Sequence, residues 1–168
     1  MAPHQQQQKQ PQPQPVGRRI HVIYRLFFFL IEPISALVGA FFSHFRQHEY
    51  LSLLDASSTP AGQVPLSTSV ALSQLANMYL FFALNEAVVL RATADLRVWR
   101  ALLFVLLLAD LGHLWSLRQL GLGVYYDVSG WNVSDLGNVP WVYLGATMRL
   151  CFLAGIGMGE SRALKKKA

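Results

Sequence analysis

Residues 22–42 read VIYRLFFFLIEPISALVGAFF. Apolar side chains follow one another here without the two- or 3.6-residue alternation of a half-buried strand or a surface helix, and Glu32 sits mid-run. A bilayer core of about 30 Å is crossed by about 20 helical residues. Residues 70–90, 101–120 and 139–158 form three more runs of that kind. Hydrocarbon offers backbone groups no hydrogen-bonding partner, and the ten-residue alternating segments of a barrel are absent, so all four runs are expected as helices. The expected fold class is all-α: an integral membrane bundle of four transmembrane helices over residues 20–160, between tails at 1–19 and 161–168.

The composition agrees. Of 168 residues, 53% are hydrophobic, and the mean hydropathy is +0.32. Cys151 is the only cysteine, which rules out a disulfide framework within one chain. The net charge of +5 does not mark a nucleic-acid partner, because the basic residues flank the apolar runs rather than forming a stripe. The opening MAPHQQQQKQPQPQP is a Gln/Pro-rich tail with little to bury, and disorder is expected there. The first run starts only near His21 and is too long for a signal-peptide core, so it reads as a retained anchor.

Charge placement orients the bundle. Lys9, Arg18, Arg19 and Arg25 flank the first run, Arg91, Arg97 and Arg100 face only Asp95 between the second and third, and Arg162, Lys165, Lys166 and Lys167 follow the fourth. The other two connections carry Arg46 and Arg118 alone, so both termini are expected in the cytosol. The terminal LKKKA then matches the dilysine retrieval pattern of endoplasmic-reticulum membrane proteins, beside the plainer reading of a positive-inside cluster. Asn132-Val133-Ser134 is a glycosylation sequon in an expected lumenal loop close to the fourth run.

A charge at mid-bilayer costs roughly 2.5–3.5 kcal/mol even on insertion scales. Glu32, Glu86, Asp110 with His113, and Arg149 are therefore expected to meet one another, a ligand or water. Gln74, Asn77, Phe81 and Asn85 share one face of the second run, with Glu86 about 100° around from Asn85. Asp110 and His113 lie three apart, and Asn138, Gly145 and Arg149 share a stripe. Arg149 can hold a carboxylate through two N–H groups, Asp110 or Glu32 being the natural partner. Three acids and one arginine leave two excess negatives, so at least one buried carboxyl is expected to keep its proton, which His113 could hold or exchange.

Smaller signals concern packing. Pro33 frees a carbonyl one turn earlier and predicts a kink in the first run. Ser35, Ala36, Gly39 and Ala40, and Gly155 with Gly159, are small-residue patterns for close helix approach. Trp99, Trp115, Tyr125, Tyr126, Trp131, Trp141 and Tyr143 lie near run ends and read as interfacial aromatics.

The stretches IEPISALVGAFF, QLANMYLFFALNEAVVLR, DLRVWR, ADLGHLWS and GNVPWVYLGATMR together resemble an uncharacterised fungal family of small integral membrane proteins. The resemblance spans roughly Tyr24 to Gly157. It implies a four-helix membrane protein and supplies no reaction.

Several uses of the buried residues stay open. In a structural one, Arg149 and Asp110 form an ion pair that fixes helix register, with Asn77 and Asn85 as interhelical glue. In a functional one, the interior binds a sterol-, terpenoid- or lipid-like ligand carrying one polar group. A protonated Asp110 or Glu32 would donate to an alkene and His113 or Glu86 would take a proton back. Arg149 with Gln74, Asn77, Asn85 and Asn138 would orient polar groups, for isomerisation or cyclisation. Whether the protein is an enzyme is open at this point. A proton or ion path is a third use, small for four short helices. The architecture alone is similar to the sterol-isomerase and sigma-receptor-like membrane family, whose motifs do not match. The expected partners are the bilayer and a second copy or another membrane protein. His44, His48 and Glu49 have helical ligand spacing without a further clear partner, and no metal is expected. No phosphate-binding glycine loop, GxSxG elbow or paired CxxC occurs, which argues against soluble-type hydrolase and nucleotide chemistry, and no cofactor is expected.

Overall fold

The computed structural model describes residues 20–158. The Gln/Pro-rich tail and the terminal lysines lie outside the described residues. Within them the regular structure is helix alone. In chain order it comprises α1 (Val22–Phe45), α2 (Gln47–Leu54), α3 (Leu66–Leu84, continued by a π-helical turn over Asn85–Val89), α4 (Leu96–Ser116), α5 (Val133–Asn138) and α6 (Pro140–Leu153). α1 packs along α3 and α4 along α6, while the short α2 and α5 meet at one end of the bundle.

Two helices are long and apolar enough to cross a membrane: Val22–Phe45, with 24 residues, and Leu96–Leu120, with 25. At 1.5 Å per residue each reaches about 36 Å. α3 has comparable length, but Gln74, Asn77, Asn85 and Glu86 dilute its apolar character. The run expected at 139–158 is a helix of only 14 residues, about 21 Å long. Pro140 starts it, because proline has no N–H to continue the ladder of α5. Its end is a Schellman turn: Gly155 N–H donates to Phe152 O at 3.0 Å and Ile156 N–H to Cys151 O at 2.9 Å, with Gly155 at φ +81°. Gly155 thus stops a helix instead of seating a neighbour, and its expected partner Gly159 lies outside the described residues.

Each long helix turns one stripe inward. On α1 it is Tyr24, Phe28, Glu32, Ala36 and Ser43; on α3, Leu72, Ala76, Tyr79, Ala83 and Glu86; on α4, Trp99, Leu103, Leu106 and Asp110; on α6, Gly145, Arg149 and Phe152. The outer faces are apolar: Ile34, Leu37 and Phe41 on α1 and Phe104, Leu108 and Leu111 on α4 are exposed. Apolar surface of this kind is rarely contiguous over large areas on water-soluble proteins.

Trp99 belongs to the core and not to an interface belt. It is 1% exposed, stacks on Phe152 at 5.5 Å, and its indole N–H donates to Thr93 O at 3.0 Å. Asp95 caps α4 by accepting the Arg97 backbone N–H at 2.8 Å. The Arg97 side chain beside it holds the exposed Asp95 carboxyl below its ordinary range. In α1 the carbonyl that Pro33 leaves without a helical donor is that of Phe29. The Arg91 guanidinium donates to it and lies 5.3 Å over the Phe29 ring.

Candidate functional site

Four helices deliver one ionisable group each to a single point. Glu32 follows directly on a π-helical turn in α1, Phe27–Ile31, and Glu86 lies in the π-helical turn of α3. The two turns pack against each other. Such turns hold one residue more than an α-helical turn, and they recur at functional sites. Asp110 comes from α4 and Arg149 from α6.

Arg149 is fully buried and holds all three acids. Nη2 donates to Glu32 Oε1 at 2.8 Å and to Glu86 Oε1 at 2.9 Å, and Nη1 donates to Asp110 Oδ2 at 2.9 Å. The rings of Phe82 and Phe28 lie 5.0 and 5.7 Å from the guanidinium carbon and complete its wall. The guanidinium occupies the space that a side chain at 145 would take. A Cβ there would lie 2.7 Å from Arg149 Nη1 and 2.8 Å from Glu32 Oε1, so any larger residue would push on the ion pair.

The arginine does not saturate its partners. Glu32 Oε2, Glu86 Oε2, Arg149 Nε and His113 Nε2 are buried without a hydrogen-bond partner among the described residues. A polar group left so in a protein interior costs about 1–3 kcal/mol. Two of these atoms belong to side chains that line a cavity of about 650 Å³. Its polar patch is formed by Glu32, Asp110, His113, Ser35 and Asn138, and the rest of its wall is mainly apolar, with Leu75, Phe82 and Val142. The exposed Val38 and Met78 also line it, so it reaches the outer surface of the bundle. That volume falls within the range of small-molecule sites, which are concave, apolar and marked by a few polar groups.

The sequence candidates sort by position. Glu32, Asp110 and His113 reach the cavity, and Asn138 joins them from α5, where its Nδ2 donates to Ser134 Oγ at 3.0 Å. Asn138 does not share a helix with Arg149, because Pro140 breaks the stripe expected to join them. Glu86 lies behind Arg149 and is absent from the cavity wall, so it cannot exchange a proton with a molecule there directly. Gln74 and Asn77 lie on the opposite, exposed face of α3, away from the ion-pair cluster. Asn85 Nδ2 donates to Phe81 O at 2.8 Å within its own helix. The amide face expected to look inward therefore looks outward, because α3 packs through its small residues Ala76 and Ala83 instead.

Other motifs have local roles. His48 Nε2 lies 3.1 Å from Pro60 O, and Glu49 pairs with Arg46 at 2.6 Å. The sequon residue Asn132 caps α5, accepting from Ser134 N at 2.7 Å and Asp135 N at 3.0 Å, while its Nδ2 donates to Leu53 O at 2.8 Å. Sequence reasoning missed Ser35 and Trp141 as parts of the site. Trp141 Nε1–H donates to Ser35 Oγ at 2.9 Å, and Ser35 Oγ–H donates to Glu32 O at 2.7 Å. The spacing of Ser35 three residues after Glu32 was the available signal. Tyr79 was also missed; it packs on Gly39, and its hydroxyl lies 3.4 Å from that of Tyr50 at the far side of the cavity.

Among the described residues, fold and site together define an all-helical arrangement with two helices long and apolar enough to cross a membrane and a buried arginine ringed by three acids. The chain belongs to the family described as a domain of unknown function, DUF7704, which matches residues 17–159. No curated protein and no solved structure matches it.

Proposed function

We propose that the chain is a multi-pass membrane protein with four embedded helices that binds a sterol-, terpenoid- or lipid-like molecule in its interior cavity. The carrying observation is the combination of an apolar cavity of about 650 Å³ with unpartnered polar atoms of Glu32 and His113 on its lining residues. A ligand hydroxyl would donate to whichever of Glu32 and Asp110 is ionised, and its hydrocarbon body would fill the apolar remainder within reach of His113. The apolar outer faces of α1 and α4 support the membrane setting. The short α6 is then embedded through its neighbours, with α5 covering its end. The endoplasmic reticulum is the proposed location, on the dilysine pattern, and fungal membranes are the proposed setting, on the family resemblance.

The chemistry that fits this arrangement is proton transfer to and from an alkene. The acid is a protonated Asp110 or Glu32, whose O–H adds its hydrogen to one alkene carbon and leaves a carbocation next to it. His113 then removes a proton from the carbon on the far side, and the electron pair of that C–H bond forms the new double bond. Return of the proton from His113 to the carboxylate closes the cycle with no co-reactant. Arg149 stays charged and holds the carboxylates in place.

A second reading has its own support, namely that Arg149 takes one oxygen from each of three acids. In it the cluster fixes the helix arrangement and the chain is a scaffold or assembly partner. An untargeted sterol, terpenoid and lipid profile separates the two. It compares cells lacking the chain with cells carrying Asp110→Asn at normal abundance. Accumulation of the same precursor in both is the expected result. Unchanged profiles in both, with the variant folded in the membrane, would sink the catalytic reading and leave the scaffold.

A further inference from the structure

α3 carries two stripes of the same spacing, back to back. The inner one, Leu72, Ala76, Tyr79, Ala83 and Glu86, runs at intervals of four, three, four and three and is the surface packed on α1. The outer one, Val70, Gln74, Asn77, Phe81, Leu84 and Val88, runs at four, three, four, three and four, and every member is exposed, Phe81 to 61%. Alternating intervals of four and three are the pattern of helices that wrap around one another with a left-handed twist. At the middle of the outer stripe stand two carboxamides, and neither has a hydrogen-bond partner among the described residues. Lipid offers them none.

We infer that this outer stripe is the seam of a parallel homodimer, in which the Asn77 and Gln74 amides of one copy pair with those of the other across a two-fold axis. Two properties select a second copy over an unrelated helix. A carboxamide is donor and acceptor at once, so an identical group across a dyad satisfies both functions. In a parallel pair the same heptad positions face each other, so amides at equal depth meet automatically, whereas another protein would need its own polar groups at matching depths. Asn and Gln are the residues that hydrogen-bond between helices in lipid. The inference rests on α3 being membrane-embedded, as proposed above. It does not involve the cavity, whose wall includes Leu75, Met78 and Phe82 of α3 but neither Gln74 nor Asn77.

The test uses the full chain in its native membrane with Cys151→Ser as background. Asn77→Cys and Phe81→Cys are oxidised beside Leu111→Cys, an equally lipid-facing position on α4. Disulfide-linked dimer at 77 and 81, and only background at 111, is expected. In detergent, Asn77→Leu is expected to raise the dimer dissociation constant about three- to thirtyfold, the range of one interhelical amide bond in lipid. Crosslinking at 77 no greater than at 111, or an unchanged dissociation constant, would overturn the seam. A water-soluble maleimide distinguishes the two possible failures. Protection of Asn77→Cys in intact membranes without crosslinking overturns the seam alone. Labelling as fast as Ala61→Cys, in the exposed connection before α3, overturns the embedding of α3 and the seam with it.

Discussion

Gly145→Ala puts the ion-pair geometry to a quantitative test. In an ordinary helix interior, alanine is favoured over glycine by up to about 1 kcal/mol. At 145 the added methyl would stand 2.7 Å from Arg149 Nη1 and 2.8 Å from Glu32 Oε1. Restoring normal contact moves the guanidinium by roughly 0.7 Å, which stretches the 2.9 Å bond from Nη1 to Asp110 beyond hydrogen-bonding range. Losing one hydrogen bond to a charged group costs about 1.5–3 kcal/mol, and overpacking adds about 1–3 kcal/mol. After the helical gain, a net loss of about 1.5–5 kcal/mol remains. For a chain of this size 1 kcal/mol corresponds to about 2–4 °C in Tm, so the melting temperature should fall by roughly 3–20 °C. Gly112→Ala in α4 is the control, since nothing lies within 4 Å of its added methyl. Thermal unfolding of the three purified proteins in one detergent, followed by size exclusion, makes the comparison. Gly145→Ala melting level with wild type, or rising alongside Gly112→Ala, would refute the placement of Arg149 and Glu32.

Other substitutions probe separate parts of the structure. Arg149→Met leaves three buried acids without their cation and should cost about 3–5 kcal/mol, read as a collapse in folded yield. Asp110→Asn keeps an acceptor for Nη1 and should stay within about 1.5 kcal/mol of wild type in the same yield assay. Trp99→Ala empties a core site and should lose about 3–5 kcal/mol, whereas an interfacial tryptophan would lose far less; detergent melting decides. Asn77→Leu should leave monomer stability within about 0.5 kcal/mol, because its side chain faces outward, and a large loss would return it to the buried network.

Much of this site was legible because charge inside an apolar run has few uses. Glu32, Asp110 and Arg149 stood out on that ground alone, and they do meet. The inward face of α3 was not legible. Its two stripes share the same alternation of four- and three-residue intervals, and the one with more polar residues reads as the interior. Small Ala76 and Ala83 let α1 approach instead, a preference visible only once the partner surface is known. The extent of the last helix was hidden for a related reason. Hydropathy continues from Val139 to Met158, but Pro140 and the left-handed Gly155 set the ends by backbone chemistry, which hydropathy does not register. Trp99 lay near the end of an apolar run and so resembled an interfacial anchor, while Phe29 and Phe152 enclose it. The cavity itself depends on how α1, α3, α4 and α5 splay, which no single segment encodes.

If the cavity holds an apolar molecule by one polar group, as proposed above, that molecule should leave the membrane with the chain, and its mass can be read. Wild type and Ala109→Phe, a substitution that adds a ring on the cavity wall at an exposed position, would be purified in parallel and weighed intact by native mass spectrometry. A bound species of sterol, terpenoid or lipid class is expected on wild type and is expected to be lost from an equally stable Ala109→Phe. A wild-type chain with nothing bound, or the same species held equally by both proteins, would rule out the proposed site.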